Sequence, residues 1–534
     1  MKANQRRWFG ISAAAVMLAG MLSACSGPAK EAAPNTSVST AGSASKEPVT
    51  LKVEMFDRGN APAGAGPVDN NFWTQWIQKN FGDPNNIKLQ FVPVPRTQEV
   101  DKLNVLMATG DAPDIVFTYD TSTINGYVKS GGLTELSSLI DANGPNLKKF
   151  LGTEILSYGI FSGKQYAIPA KRPLQFSKST YIRKDWLDKL GLPVPKTTDE
   201  FYKTMKAFKE KDPGQTGGKL IPYNFNADDG MVPIMSFVKK MSEEDKYAFS
   251  SAQGSNIPGV LMPGFKEGVQ FINKMNAEGL IKRDFALDKD GNANRQDISN
   301  GLVGAFTGLA AHPSMMGPGN VFDTLKKNVP GAEYIVIDPF TNEEGKTPKS
   351  IYDPIGMYMM IPKTSKHAAE AIKYLDWMSK PDVLFTLTNG IEGQHYTLEN
   401  GLPKAITTDE AKKTFYNNPD IAIMINGKDF GSQEKNLEAT VLSFPDYKEV
   451  ALQSIKNALK DGETVPRLDR PIESETKYGK VLRDKAQEAI VKGVLAKPDE
   501  FNKTYDGIIA EYLKIGGQAV ADERRAAYKD MNKK

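Results

Sequence analysis

Apolar and polar positions alternate along Val49-Thr50-Leu51-Lys52-Val53-Glu54-Met55-Phe56, which predicts a strand, and Asp57-Arg58-Gly59-Asn60 breaks it. From Asn70 to Phe81 the period changes: Phe72, Trp73, Trp76, Ile77 and Phe81 recur at helical spacing. A second strand, Ile87 to Val94, is closed by Pro95. Thr97 to Thr109 then carries Val100, Leu103, Val105, Leu106 and Met107 on a broad helical face, stopped by Gly110-Asp111-Ala112-Pro113. Asp114 to Thr118 reads as a short buried strand. Strands alternating with helices predict an α/β fold with a mostly parallel sheet. Later, Ala368, Ala369, Ile372, Leu375 and Met378 give one face to a helix from Ser365 to Ser379. The last hundred or so residues read as helical. There Asp499 is expected to cap a final helix whose apolar face is Phe501, Tyr505, Ile508, Ile509 and Leu513.

The first residues follow another logic. Lys2, Arg6 and Arg7 precede an apolar run from Trp8 to Leu22, the pattern of a secretory signal. The run falls short of the ~20 residues a membrane-spanning helix needs. It ends in Leu22-Ser23-Ala24-Cys25, and Cys25 is the only cysteine of the chain. Leu-Ser-Ala-Cys resembles a bacterial lipobox. The resemblance implies that residues 1–24 are removed and that Cys25 carries diacylglycerol and palmitate as a membrane anchor on the outer face of the cell; two acyl signals suffice for stable anchoring. Residues 25–48 hold almost no large apolar side chain and read as a flexible tether of roughly 25–30 Å.

Composition narrows the field. A chain of 534 residues is too long for one core, so two domains are expected. Lys2, Arg6 and Arg7 account for the whole net charge of +3, and a body without basic excess argues against a nucleic-acid partner. One cysteine excludes an internal disulfide. The three histidines, His312, His367 and His395, lie in separate segments without zinc-type spacing. Neither a Walker loop nor a Gly-x-Ser-x-Gly elbow is present, and no enzyme and no cofactor are expected.

Several segments carry a resemblance. Ala108-Thr109-Gly110-Asp111-Ala112-Pro113-Asp114-Ile115-Val116-Phe117 is followed by Gly131-Gly132-Leu133 and Tyr166-Ala167-Ile168-Pro169-Ala170. Then come Tyr181-Ile182-Arg183-Lys184-Asp185-Trp186-Leu187, Gly301 to Phe306, and Gly390-Ile391-Glu392-Gly393-Gln394-His395-Tyr396. In this order, behind a lipobox, they resemble family 1 extracellular solute-binding proteins, in the large lipoprotein branch that includes oligosaccharide receptors of Gram-positive bacteria. The resemblance implies a two-domain periplasmic-binding-protein-like fold of type II with a hinge. Domain I is expected to take residues 49–170 plus 351–393, and domain II 171–350 plus 394–534. Members of this branch often carry a calcium loop. The matching stretch, Asp212 to Pro222, keeps the first Asp, a central Gly and Ile-Pro but lacks the other carboxylates, so no metal is expected there. Asp288-Lys289-Asp290-Gly291-Asn292 reads as a turn.

Ligands of two-domain α/β proteins sit at strand ends facing the gap between domains. Candidate ligand residues are therefore Asp57, Arg58 and Asn60 after the first strand, and Tyr119 and Asp120 after the third. Arg172, Tyr352 and Asp353 stand at the expected crossovers, Phe306 and His312 after a strand at Leu302 to Ala305, and Glu392, His395 and Tyr396 at the next crossover. Planar polar groups suit sugar hydroxyls and flat aromatics suit sugar C–H faces. The resemblance implies an oligosaccharide ligand, hinge closure, a monomer, and docking on the permease of an ABC importer. A sensor subunit for a membrane kinase, or a receptor for a peptide, polyamine or cofactor, stays open beside it.

Overall fold

The computed structural model describes residues 48–533 apart from 226–230, 251–258, 289–290, 312–319, 465–469 and 471. Cys25, the signal, nearly all of the tether and His312 lie outside the described residues.

The strands that position the site are β1 (Val49–Asp57), β2 (Ile87–Pro95), β3 (Val116–Thr118), β4 (Ala167–Lys171), β5 (Lys178–Arg183), β6 (Ile221–Asn224), β7 (Val303–Leu309), β8 (Tyr334–Ile337) and β9 (Ile355–Met360). β1 pairs with β2 in parallel, as their alternating patterns allow. A parallel bridge from Val53 to Ile115 joins β1 to the approach to β3. β9 lies between β3 and β4 and runs antiparallel to both. A second sheet has the order β8-β5-β7-β6, with β5 antiparallel to β8 and β7 and only β6–β7 parallel. The mostly parallel sheet expected from the alternation is thus mixed. The chain returns to the first sheet from the opposite end, so β9 enters it reversed.

Local rules account for the elements. Asn71 caps the helix Phe72–Ile77 by accepting from Trp73 and Thr74 N–H, with Thr74 returning a bond to the Asn71 N–H. Helix α1 (Glu99–Thr109) ends at Gly110, whose φ of 78° is a left-handed cap that costs glycine little. Helix α2 (Thr121–Lys129) is capped by Asp120, and α3 (Ala368–Met378) buries Ile372, Leu375 and Met378 as its spacing predicts. The long helix α4 (Glu473–Leu495) packs on Phe265–Ala277 and Phe501–Tyr512. The helix Phe501–Tyr512 starts after Glu500 with no side-chain cap, so the cap expected from Asp499 is not formed.

Buried apolar residues gather in two main cores. One holds β1, β3, β4, β9 and α3; the other is built on Ile182, Trp186, Phe201, Phe208, Tyr223, Ile272 and Phe501. The chain passes from one to the other between β4 and β5, and returns ahead of β9. It also enters the first core a further time, within the range 394–534 that is expected to lie wholly in domain II. Ile421, Ala422, Ile423, Met424 and Ile425 pack there, with Lys171 N–H donating to the Met424 carbonyl (3.0 Å) and Asn426 N–H to the Lys171 carbonyl (2.7 Å). The apolar run satisfies Lys171 at the open edge of β4, where an uncovered strand would leave its backbone groups unpaired.

Candidate ligand-binding site

β3 and β4 are each antiparallel to β9, so they are parallel to one another, and the Val53–Ile115 bridge gives β1 the same direction. The carboxyl ends of β1, β3 and β4 and the entry to β9 therefore face one edge of the first core. Asp57 and Arg58, Tyr119 and Asp120, Arg172, and Tyr352 and Asp353 all lie on that edge, where binding clefts of such folds form.

Their side chains are tied together. Arg58 donates from Nε and Nη2 to both carboxylate oxygens of Asp420, at 2.6 and 2.7 Å. Burial works against the Arg58 charge, but the Asp420 carboxylate outweighs it and holds the guanidinium above its usual pKa. Asp57 accepts from Gly59 N–H and fixes the turn, while Asn60 stays exposed on it. Phe56 and Tyr119 stack with centroids 6.3 Å apart, and the Arg96 guanidinium covers both, 5.1 and 4.7 Å from the ring centres. Arg96 pairs in turn with Glu99 at 2.8 Å, and Glu99 accepts from Thr118 Oγ1 and Tyr119 N–H. Burial raises the Tyr119 hydroxyl above the ordinary tyrosine range, so it stays protonated. Beneath this layer Glu54 is fully buried and accepts from Phe117 N–H at 3.0 Å. Burial pushes its pKa up to about 8, which keeps it neutral at physiological pH.

Arg172 is the centre of the second half. Its guanidinium lies 4.3 Å from the centre of the Tyr352 ring. Nε donates to Asn426 Oδ1 at 3.4 Å and Nη1 to the Asp353 carbonyl at 3.3 Å. Burial lowers its pKa, opposed by Tyr119, Tyr352 and Asp353. Asp120 uses its carboxylate on Ser122 N–H and Thr123 Oγ1, with Arg483 of α4 at 3.7 Å.

Other candidates stand elsewhere. β7 runs on to Leu309, so Phe306 lies inside the strand rather than after it; it is buried, stacked on Tyr181 at 4.7 Å and edge-on to Tyr334 at 5.0 Å. His395 is buried in an aromatic box of Phe72, Trp73 and Phe415, with centroids 5.2 to 5.7 Å away. Its Nδ1 accepts from Ile391 N–H and Nε2 meets Thr414 Oγ1, both at 2.9 Å, and burial lowers its pKa. Tyr396 opens a hairpin strand, pairs with Ala405 and packs edge-on to Phe385. Glu392 is exposed in the turn bridged to Tyr396. The expectation that these residues face a ligand fails for Phe306, His395 and Tyr396 because apolar neighbours enclose them.

In the loop matched to a calcium site, both Asp212 oxygens accept from Thr216, at 2.9 and 3.1 Å from its N–H and 3.1 Å from its hydroxyl. Asp288 is likewise spent on Ala293 and Asn294 N–H, capping the helix Asn292–Ser299. The residues at this edge that sequence reasoning missed are Arg96, Glu99, Asp420 and Asn426. An apolar run followed by polar residues, Ile421 to Asp429, is the signal that was there to find, although the run folds as a helix end and a turn rather than a strand.

The family model for bacterial extracellular solute-binding proteins matches residues 65–384, more than half of the chain. The chain belongs to that family. Among its relatives, lipoprotein LipO of Bacillus subtilis is 25% identical over 99% of this chain and 98% of its own. The polygalacturonan/rhamnogalacturonan-binding protein YtcQ of the same organism is 24% identical over 89% of this chain and 94% of its own. Among solved structures, alginate-binding protein AlgQ2 without calcium ion superposes with a TM-score of 0.69 at 23% identity, covering 90% of this chain and 98% of that one. The Streptococcus pneumoniae substrate-binding protein FusA with kestose gives 0.63 at 18% identity, covering 90% and 99%. These solute-binding proteins share the fold of this chain. Among the described residues no helix is long and apolar enough to cross a membrane.

Proposed function

We propose that this solute-binding protein is the receptor of an ABC importer for an oligosaccharide, held at the outer face of the membrane by a lipid on Cys25, and that it binds without catalysing a reaction. The observation that carries the reading is the convergence of Arg58, Tyr119, Arg172, Tyr352 and Asp353 on one strand-end edge. Charged planar groups and aromatic faces alternate there, the two kinds of partner that sugars need. The names of YtcQ and FusA, which bind a polygalacturonan and a fructooligosaccharide, support the ligand class. Residues 49–170 and 351–393 with 421–426 form one lobe, and 171–350 with most of the remaining chain form the other. Ligand bridges the lobes and shifts an open–closed equilibrium, with 171–177 and 350–354 absorbing the dihedral change. The protein acts as a monomer.

A thermal-shift screen of plant, algal and host oligosaccharides tests this. A carbohydrate raises the melting temperature in a concentration-dependent way, and a direct assay finds no turnover of it. A screen in which peptides or polyamines stabilise the protein and no carbohydrate does would overturn the reading.

A further inference from the structure

The cations of the strand-end edge are not equally satisfied. Arg58 is neutralised by Asp420 through two bonds, Arg96 by Glu99 at 2.8 Å, and Lys171 by Asp429 at 2.5 Å. Arg172 differs: its side-chain hydrogen bonds end on neutral oxygens, the Asn426 amide and the Asp353 carbonyl, with the Asp353 carboxylate acting on it only electrostatically. Lys428 differs further. Among the described residues it has no hydrogen bond, ion pair or ring contact, yet it sits deep enough for burial alone to draw its pKa down to about 8. Part of its surface remains open to solvent.

Topology fixes where Lys428 lies. Ile425 makes a single parallel bridge to Lys171 and Asp429 pairs with the Lys171 ammonium, so the segment between them lies at the end of β4. Asn426 bonds Arg172, and Gly427 then turns the chain at a φ of 122°, which a side chain would resist. Lys428 follows at once. An ammonium with no ion pair among the described residues and a guanidinium whose hydrogen bonds end on neutral oxygens thus stand on neighbouring segments of this edge. A partly buried cation with no ion pair is costly, and the cost is relieved when a bound anion supplies the missing charge.

The geometry points to a carboxylate-bearing sugar as the ligand, with Lys428 and Arg172 as the seat of its acid group. This inference rests on the oligosaccharide reading and narrows it to uronate-type chains.

Titration calorimetry on the full extracellular chain tests it, using oligogalacturonates and alginate oligomers, each as the free acid and as its methyl ester. The wild type binds at least one acid series ten or more times tighter than the matching ester. Lys428→Gln narrows that ratio to about twofold, Lys428→Arg keeps most of it, and the ligand-free melting temperature of Lys428→Gln does not fall. Equal binding of acid and ester, or full discrimination kept by Lys428→Gln, overturns the inference. Binding of neutral kestose with no binding of either acid series overturns it while leaving the oligosaccharide reading intact. Failure of every sugar overturns both.

Discussion

At the ends of β1, β3 and β4, charged side chains meet across strands and keep part of their surface open. Around His395 and Phe306, residues of similar chemistry turn inward and meet rings. Arg172 lies over Tyr352 with its polar edge on Asn426 and Asp353, whereas His395 is boxed by Phe72, Trp73 and Phe415 and spends both ring nitrogens on Ile391 and Thr414. The partners, not the residue types, separate the two regions. An aromatic or a histidine after a strand serves folding when apolar neighbours close over it, and is available to ligand when its neighbours are themselves charged and unfinished.

That contrast is sharpest under mutation. Phe306→Ala removes a ring packed on Tyr181 and Tyr334 and is expected to destabilise the protein by ~3–5 kcal/mol in chemical denaturation, with ligand affinity in the surviving folded fraction unchanged. A large affinity loss at constant stability would move Phe306 into the site.

Glu54 comes next. Its folded pKa of about 8 exceeds the ordinary 4.5, so between those values the unfolded chain has released a proton that the folded one keeps. Stability from this group is complete below about pH 4.5 and declines as pH rises toward 8. Glu54→Gln removes the slope, and the variant gains on the order of 2–4 kcal/mol over wild type at pH 8 and almost nothing at pH 5. Equal gains at both pH values would show that burial does not hold this carboxyl neutral.

Tyr352→Ala takes away the face under Arg172 and is expected to weaken ligand roughly tenfold, about 1.4 kcal/mol, with little change in melting temperature. The smallest effect belongs to Asp212→Ala, which frees Thr216 and costs ~1 kcal/mol of stability. Added Ca²⁺ leaves the melting temperature of the wild type unmoved; a rise at micromolar Ca²⁺ would mean that the loop rearranges to bind it.

The legible parts of the fold were local. The β1, β2, α1 and α3 patterns follow from alternation, helical spacing and breakers such as Pro95 and Gly110, all read within a few residues. Arg58 was legible as a charged residue after a strand, but its partner was not: Asp420 is 362 positions away. Asn426 and Lys428 escaped for the same reason, since a turn brought to the end of β4 from 254 positions away is a tertiary event. Phe306 was misplaced by an error of strand length, because periodicity ended β7 at Ala305 while pairing with Lys178 to Ile182 carries it to Leu309.

The central claim is that ligand is held at the strand-end edge through Arg172. Titration calorimetry of Arg172→Ala against wild type, with the carbohydrate that most raises the wild-type melting temperature, tests it directly. The account predicts at least tenfold weaker binding with an unchanged ligand-free melting temperature. Wild-type affinity in a folded Arg172→Ala variant would contradict it.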